Sequence, residues 1–146
     1  MERKEFIKTC GLACLGGVIL STGIQSCGSS AYYAKSTYVG NKLSVKKSEF
    51  VNATEGQNSI RNFVLVKSDK LEFPICVYRF SESSYSALST KCTHSGCEVK
   101  PQQQLLVCPC HGSEFTNKGE VQNPPAEENL KTYKITTDNE FIYIEL

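Results

Sequence analysis

From residue 42 onward the chain is written in short apolar runs. Positions 43–45, 62–66, 73–80, 85–90, 105–107, 130–136 and 141–146 are rich in Val, Ile, Leu, Phe and Tyr, and polar or turn-forming residues bound each run. Such runs predict strands, because branched and aromatic side chains suit a pleated surface and turn residues interrupt it. Asp138-Asn139-Glu140 separates the last two runs and reads as a hairpin turn. No window of helical period reaches about twelve residues in this part, so an all-β sandwich or barrel of short antiparallel strands is expected. No internal repeat is visible.

The first 27 residues follow a different pattern. A charged start (Glu2, Arg3, Lys4, Glu5, Lys8) leads into an apolar stretch, residues 10–24, diluted by Gly11, Gly16, Gly17, Ser21, Thr22 and Gly23. That is the layout of an export signal. As a helix the stretch would rise only roughly 22 Å, short of the ~30 Å hydrocarbon core, which favours a signal over a permanent span. Arg3-Lys4-Glu5-Phe6-Ile7-Lys8 resembles the twin-arginine export motif, with Lys4 in place of the second arginine. Ile24-Gln25-Ser26-Cys27 resembles a bacterial lipoprotein processing site, in which Cys27 would become the lipidated N-terminus. Acyl chains there would anchor the protein, at about 0.8 kcal/mol per buried methylene. Residues 28–41, mostly Gly, Ser, Ala and Tyr without a clear period, suit a flexible tether. The expected organisation is an export signal at 1–27, a tether at 28–41 and one folded domain at 42–146, on the periplasmic side of a bacterial membrane.

Charge adds an exclusion. Sixteen basic residues against 15 acidic give a net charge of +1, and the Lys and Arg are scattered, so nucleic acid is not an expected partner. The eight cysteines and two histidines say more. Cys10, Cys14 and Cys27 fall in the leader region, and Cys76, within the run 73–80, reads as an ordinary buried residue. Cys92, Cys97, Cys108 and Cys110 cluster around both histidines of the chain.

Two segments carry the chemistry: Cys92-Thr93-His94-Ser95-Gly96-Cys97 and Cys108-Pro109-Cys110-His111-Gly112-Ser113. Each offers a soft thiolate and an imidazole two or three residues apart, separated by small or turn-forming residues, so two loops can converge on one centre. Such a set also suits tetrahedral zinc. Zinc leaves two of the four cysteines without a role, and gives no reason for Gly96, Pro109, Gly112 and Ser113 in register. A pure disulfide framework does not require both histidines to lie beside cysteines.

The pair of boxes closely resembles those of the Rieske iron-sulfur proteins, particularly the type in quinol-oxidising cytochrome bc complexes, which read C-T-H-x-G-C and C-P-C-H-G-S. The resemblance covers residues 86–133 with specific motifs. It implies one 2Fe-2S cluster, with Cys92 and Cys108 on one iron and His94 and His111 on the other. Two imidazoles in place of two thiolates remove negative charge, placing the potential at about −150 to +300 mV against about −400 mV for all-Cys plant-type ferredoxins. Cys97 and Cys110 match the disulfide that ties the two loops together in the cytochrome bc subgroup, a bond suited to an oxidising compartment.

Around the ligands, Gly96 and Gly112 match the family's loop glycines, and Ser113 the hydroxyl that donates to a bridging sulfide. Phe115 stands where high-potential members carry a Tyr that bonds a ligand sulfur, which implies a potential below theirs. Residues 121–130, with Pro124, Pro125 and Ala126, resemble the proline loop that shields the cluster, with Pro124 where the family usually has Gly. The 13 residues between His94 and Cys108 imply a trimmed hairpin around 100–104.

The implied fold is a Rieske-like sandwich or barrel with a cluster-binding subdomain. The implied function is one-electron transfer, as a non-catalytic subunit of a membrane-associated quinol-oxidising or other respiratory complex. Partners would be redox proteins (a cytochrome or a catalytic subunit), quinol at a histidine edge, and the membrane through the lipid anchor or leader. A relay subunit of an arsenite-oxidase-like enzyme is the alternative. A ferredoxin-type carrier for an oxygenase is another, against which the Cys97 and Cys110 pair counts. Cells fed labelled palmitate are expected to label the wild-type chain and not a Cys27→Ala variant; equal labelling of both contradicts the lipoprotein reading.

Overall fold

A computed structural model describes residues 31–54 and 57–146; the export-signal and Cys27 readings therefore lie outside the described residues. In chain order the strands are β1 (Ser36–Val39), β2 (Lys42–Lys46), β3 (Val51–Thr54), β4 (Gln57–Ile60), β5 (Phe63–Val66), β6 (Ile75–Arg79), β7 (Tyr85–Ser89), β8 (Lys100–Pro101), β9 (Leu105–Val107), β10 (Glu114–Thr116), β11 (Val121–Asn123), β12 (Thr132–Tyr133), β13 (Ile135–Thr137) and β14 (Phe141–Glu145). A 3-10 turn at Lys47–Phe50 is the only helical element among the described residues. Three four-stranded antiparallel sheets result, in the orders β1-β2-β14-β13, β12-β7-β6-β5 and β11-β10-β9-β8, and β3 and β4 form a separate hairpin.

The sheet β12-β7-β6-β5 is covered on both faces, which explains its unbroken apolar sequence. Side chains alternate between faces along a strand. Val64, Val66, Ile75, Val77 and Ala87 therefore point to one core, shared with Leu43, Val45, Ile142 and Ile144 of the outer sheet and with Phe50 of the 3-10 turn. Leu65, Cys76, Tyr78 and Leu88 point the other way, to a second core shared with Leu106, Phe115, Ala126 and Leu130. Strands buried on both faces read as continuous apolar runs, whereas β14, covered on one face, alternates. Cys76 is fully buried in the second core, and burial pushes its thiol pKa well up.

Polar clamps fix the second core to the central sheet. The buried Tyr78 hydroxyl donates to the carbonyls of Gln102 (2.8 Å) and Leu105 (3.0 Å), at the turn of the β8–β9 hairpin expected around 100–104. Ser86 Oγ donates to Asn117 O at 2.6 Å, and the fully buried Thr90 Oγ1 to Pro74 O at 2.7 Å. The turn expected at 138–140 is present. Asp138 Oδ1 accepts from the amides of Glu140 and Phe141 at 2.8 and 2.7 Å, and these bonds hold its carboxyl below the usual range.

Two expectations are corrected. Residues 28–41 do not form a tether throughout, because β1 pairs with β2 from Ser36↔Val45 to Val39↔Lys42, across a turn in which Gly40 takes φ +62°. Before it, Leu65 N donates to Tyr32 O and Ala34 N to Leu65 O, at 2.9 and 2.8 Å, so Tyr32 and Ala34 are already part of the fold. Side chains with strand propensity at Thr37, Tyr38 and Val39 supply the reason. The single run expected at 130–136 is two strands: β12 pairs with β7 and β13 with β14, so the chain changes sheets at Lys134. Tyr78→Phe is expected to remove the clamp between the central sheet and the β8–β9 turn and lower stability by about 1 kcal/mol in denaturant unfolding; an unchanged midpoint would show that the clamp contributes nothing.

Candidate metal centre

The two boxes form two loops with the same backbone pattern. In the first, Gly96 N donates to Cys92 O (2.9 Å) and Cys92 N to Cys97 O (2.8 Å). In the second, Gly112 N donates to Cys108 O (3.0 Å) and Cys108 N to Ser113 O (2.8 Å). Superposed on this pattern, Cys92 corresponds to Cys108, Gly96 to Gly112 and Cys97 to Ser113. Both glycines have positive φ, +76° and +80°, where a Cβ would crowd the following carbonyl. Each loop leaves and re-enters the second core through buried residues: Cys92 and Val99 for one, Cys108 and Phe115 for the other.

A disulfide between Cys97 and Cys110, with Cα atoms 6.5 Å apart, ties the loops together. Although the sulfurs of Cys97, Cys108 and Cys110 all lie within 4.8 Å of one another, two of them are bonded to each other. The sulfurs left for a metal are Cys92 and Cys108, 2% and 0% exposed. Burial raises the Cys108 thiol pKa, the neighbouring Cys92 thiol adds to this, and backbone donation from Cys110 and His111 opposes it. Those two amides are ready donors to a thiolate at Cys108.

The imidazoles are placed oppositely. His94 and His111 are exposed, with ring centroids 4.9 Å apart and planes nearly perpendicular at 86°. Ser95 Oγ lies 3.4 Å from His111 Nδ1. The centre thus has two sulfurs on the protein side and two nitrogens on the solvent side.

The third side is the segment 121–130, whose Pro124–Pro125 peptide is cis. Ala126 N donates to the fully buried Ser113 Oγ at 2.9 Å, and Thr93 Oγ1 to Glu128 O at 2.7 Å. The Ser113 oxygen accepts there, which leaves its own proton to be given inward, as a donor to a sulfide requires. Phe115 is wholly buried on β10 beneath the loops, and Pro125 is half-buried beside His94. The two boxes thus meet at the Cys97–Cys110 bond, at the His94–His111 ring contact and where the Cys92 thiol neighbours Cys108. The Thr93 latch and the Cys110 and His111 amides were not anticipated. A threonine inside a ligand loop carries no sign of its partner, and backbone donors carry none at all.

Two buried sulfurs, two exposed imidazoles, backbone donors at one sulfur and a buried hydroxyl with a proton to give fit a 2Fe-2S group ligated unsymmetrically. The comparisons with known proteins agree. The Rieske [2Fe-2S] domain model matches residues 37–134, which also places β1 inside the folded unit. Over 65 residues the chain is 34% identical to the cytochrome b6-f complex iron-sulfur subunit of Chlorobaculum tepidum, covering 43% of this chain and 36% of that one. It is 38% identical over 55 residues to the cytochrome b6-f complex iron-sulfur subunit 2 of a Nostoc species, covering 36% and 31%. The chain thus spans about a third of the length of these curated relatives. Among solved structures, the plasma membrane Rieske protein PetC3 from Synechocystis aligns with a TM-score of 0.52 and 31% identity, over 58% of this chain and 87% of that one.

An added Cβ at Gly112 meets nothing within 4 Å, so its cost is purely conformational. Gly112→Ala is expected to lose roughly 1–2 kcal/mol of stability by denaturant unfolding and to lower the iron content of the purified protein; unchanged values of both would mean that the left-handed turn is dispensable.

Proposed function

The chain belongs to the Rieske [2Fe-2S] domain family, and from that premise we propose that it is the electron-carrying subunit of a membrane-associated quinol-oxidising complex, with Cys92 and Cys108 on one iron and His94 and His111 on the other. Membership makes it an electron-transfer protein with one Rieske-type 2Fe-2S cluster. The observation that carries the finer reading is the polarity of the donor set: buried thiols inside, exposed imidazoles outside.

Bound there, the 2Fe-2S group supplies one reversible electron at a potential raised by its neutral ligands. The residues do the rest. Cys92 and Cys108 hold the inner side away from water, and the amides of Cys110 and His111 stabilise negative charge on the Cys108 sulfur. His94 and His111 each have two ring nitrogens; one turned to iron leaves the other at the surface, where it can hold a proton or accept one from a hydroxyl. A quinol meets that edge as a hydrogen-bond donor, so proton and electron leave it at the same place.

The named relatives support the setting, since two are subunits of cytochrome b6-f complexes and one is a plasma membrane protein. The disulfide supports an oxidising compartment, hence the periplasmic side. Attachment is assigned to the leader or to lipid on Cys27.

Phe115→Tyr tests the shell around the sulfurs. It is expected to raise the midpoint potential by tens of millivolts in voltammetry with little loss of stability, because the new hydroxyl finds a ligand sulfur. A destabilised protein at the old potential would mean that the hydroxyl is buried without a partner. For the pathway, membranes containing the protein should show reduction of the cluster on addition of a quinol. Reduction by dithionite but not by quinol would remove quinol as the donor.

A further inference from the structure

Strand β1 is the edge of its sheet, and with the loop after β5 it makes a face of aromatic and basic side chains. Tyr33, Tyr38 and Val39 are 45%, 42% and 54% exposed. Lys67 Nζ lies 4.6 Å from the centre of the Tyr33 ring and Lys70 Nζ 5.1 Å from that of Tyr38. Strand and loop are one surface: Tyr38 Oη and Ser68 Oγ share a 2.8 Å hydrogen bond, Ser36 Oγ donates to Lys67 O at 3.4 Å, and Lys70 Nζ reaches Asn41 Oδ1 at 3.4 Å.

The charge on this face is basic. Lys35, Lys67 and Lys70 are exposed and form no ion pair among the described residues. The loop carries two acids, Asp69 and Glu72, of which Glu72 is paired with Lys91 at 3.0 Å, and the Glu49 carboxylate is turned to the Tyr32 hydroxyl and the Lys35 amide at 2.8 and 3.0 Å. Tyrosines and long lysine stems with cationic tips are the residues that settle at a membrane–water boundary, apolar body down and polar tip at the headgroups.

Chain length then selects the occupant. Tyr32, bonded to the central sheet, lies five residues after Cys27 and eight after the end of the apolar stretch 10–24. Five residues, fully extended, span about 17 Å at most. A chain held at Cys27 keeps Tyr32 within about two Debye lengths of the bilayer, taking ~8 Å at physiological salt.

We propose that the Tyr33–Tyr38–Lys67–Lys70 face seats on the surface of an anionic bilayer. The inference rests on the membrane attachment proposed above and goes beyond it, because attachment alone leaves the orientation of the domain free. Each lysine close to an anionic surface favours seating by about five-fold, and the tyrosines supply contact that salt does not screen.

The test uses the full chain, reconstituted into vesicles of phosphatidylcholine alone or of equal parts phosphatidylcholine and phosphatidylglycerol. It reads two things, flotation with the vesicles and the rate of lysine acetylation by mass spectrometry. The expected result is flotation with both vesicles and slower acetylation of Lys35, Lys67 and Lys70 on the anionic ones only. Lys100 and Lys118, on the cluster-binding sheet, serve as unprotected references. Combining Lys67→Gln with Lys70→Gln should weaken seating on the order of 25-fold, read as loss of Lys35 protection while flotation persists. Flotation without protection overturns the seating and leaves attachment standing; no flotation overturns both. Protection that appears without vesicles and grows with protein concentration assigns the face to a second copy of this chain and also overturns it.

Discussion

The constraint on which the rest of the structure depends is that each box must carry a buried thiol and an exposed imidazole within three residues of one another. A thiolate bound to iron is stabilised by dry surroundings and a few directed amides. An imidazole that exchanges protons needs water or a partner at its far nitrogen. The chain meets both demands by sending each box out of the second core and straight back, so that Cys92 and Cys108 are still buried while His94 and His111, two and three residues later, are at the surface. A turn that tight requires a left-handed residue, and Gly96 and Gly112 supply it at equivalent points of the two loops.

The disulfide and the segment 121–130 answer the same constraint from outside. Two short loops joined only through their roots would drift apart; the Cys97–Cys110 bond fixes their tips relative to each other. The Ala126 amide and the Glu128 carbonyl bind one loop each, through Ser113 and Thr93. Beneath them the central sheet acts as a common floor. Its strands β5, β6 and β7 send alternate side chains into both cores, so the cluster-binding layer shares its strands with the scaffold and does not hang from it as an appendage.

How much of this was legible depended on how the signal is carried. The strands of the central sheet and β14 were plain as apolar runs, because burial on one or both faces dictates composition. The two boxes were plainer still, since both histidines of the chain fall among four cysteines. Strands β10 and β11 were not foreseen: they are three residues long and their order comes from pairing and from the glycine turns, neither of which alters composition. The change of sheet at Lys134 was hidden for a related reason, as both halves of 130–136 are strand and only the partner differs. β1 was missed because Gly, Ser and Ala before it set the tone of the window, although Thr37-Tyr38-Val39 has strand character.

The central claim is that His94 and His111, with Cys92 and Cys108, hold the iron pair. Pulsed EPR of the reduced, purified protein tests it most directly. The account predicts a Rieske-type signal carrying couplings from two histidine nitrogens, both of which change when the histidines are labelled with 15N. A normally folded protein that is colourless and iron-free after production in cells competent for cluster assembly, or a cluster signal without nitrogen couplings, would contradict it.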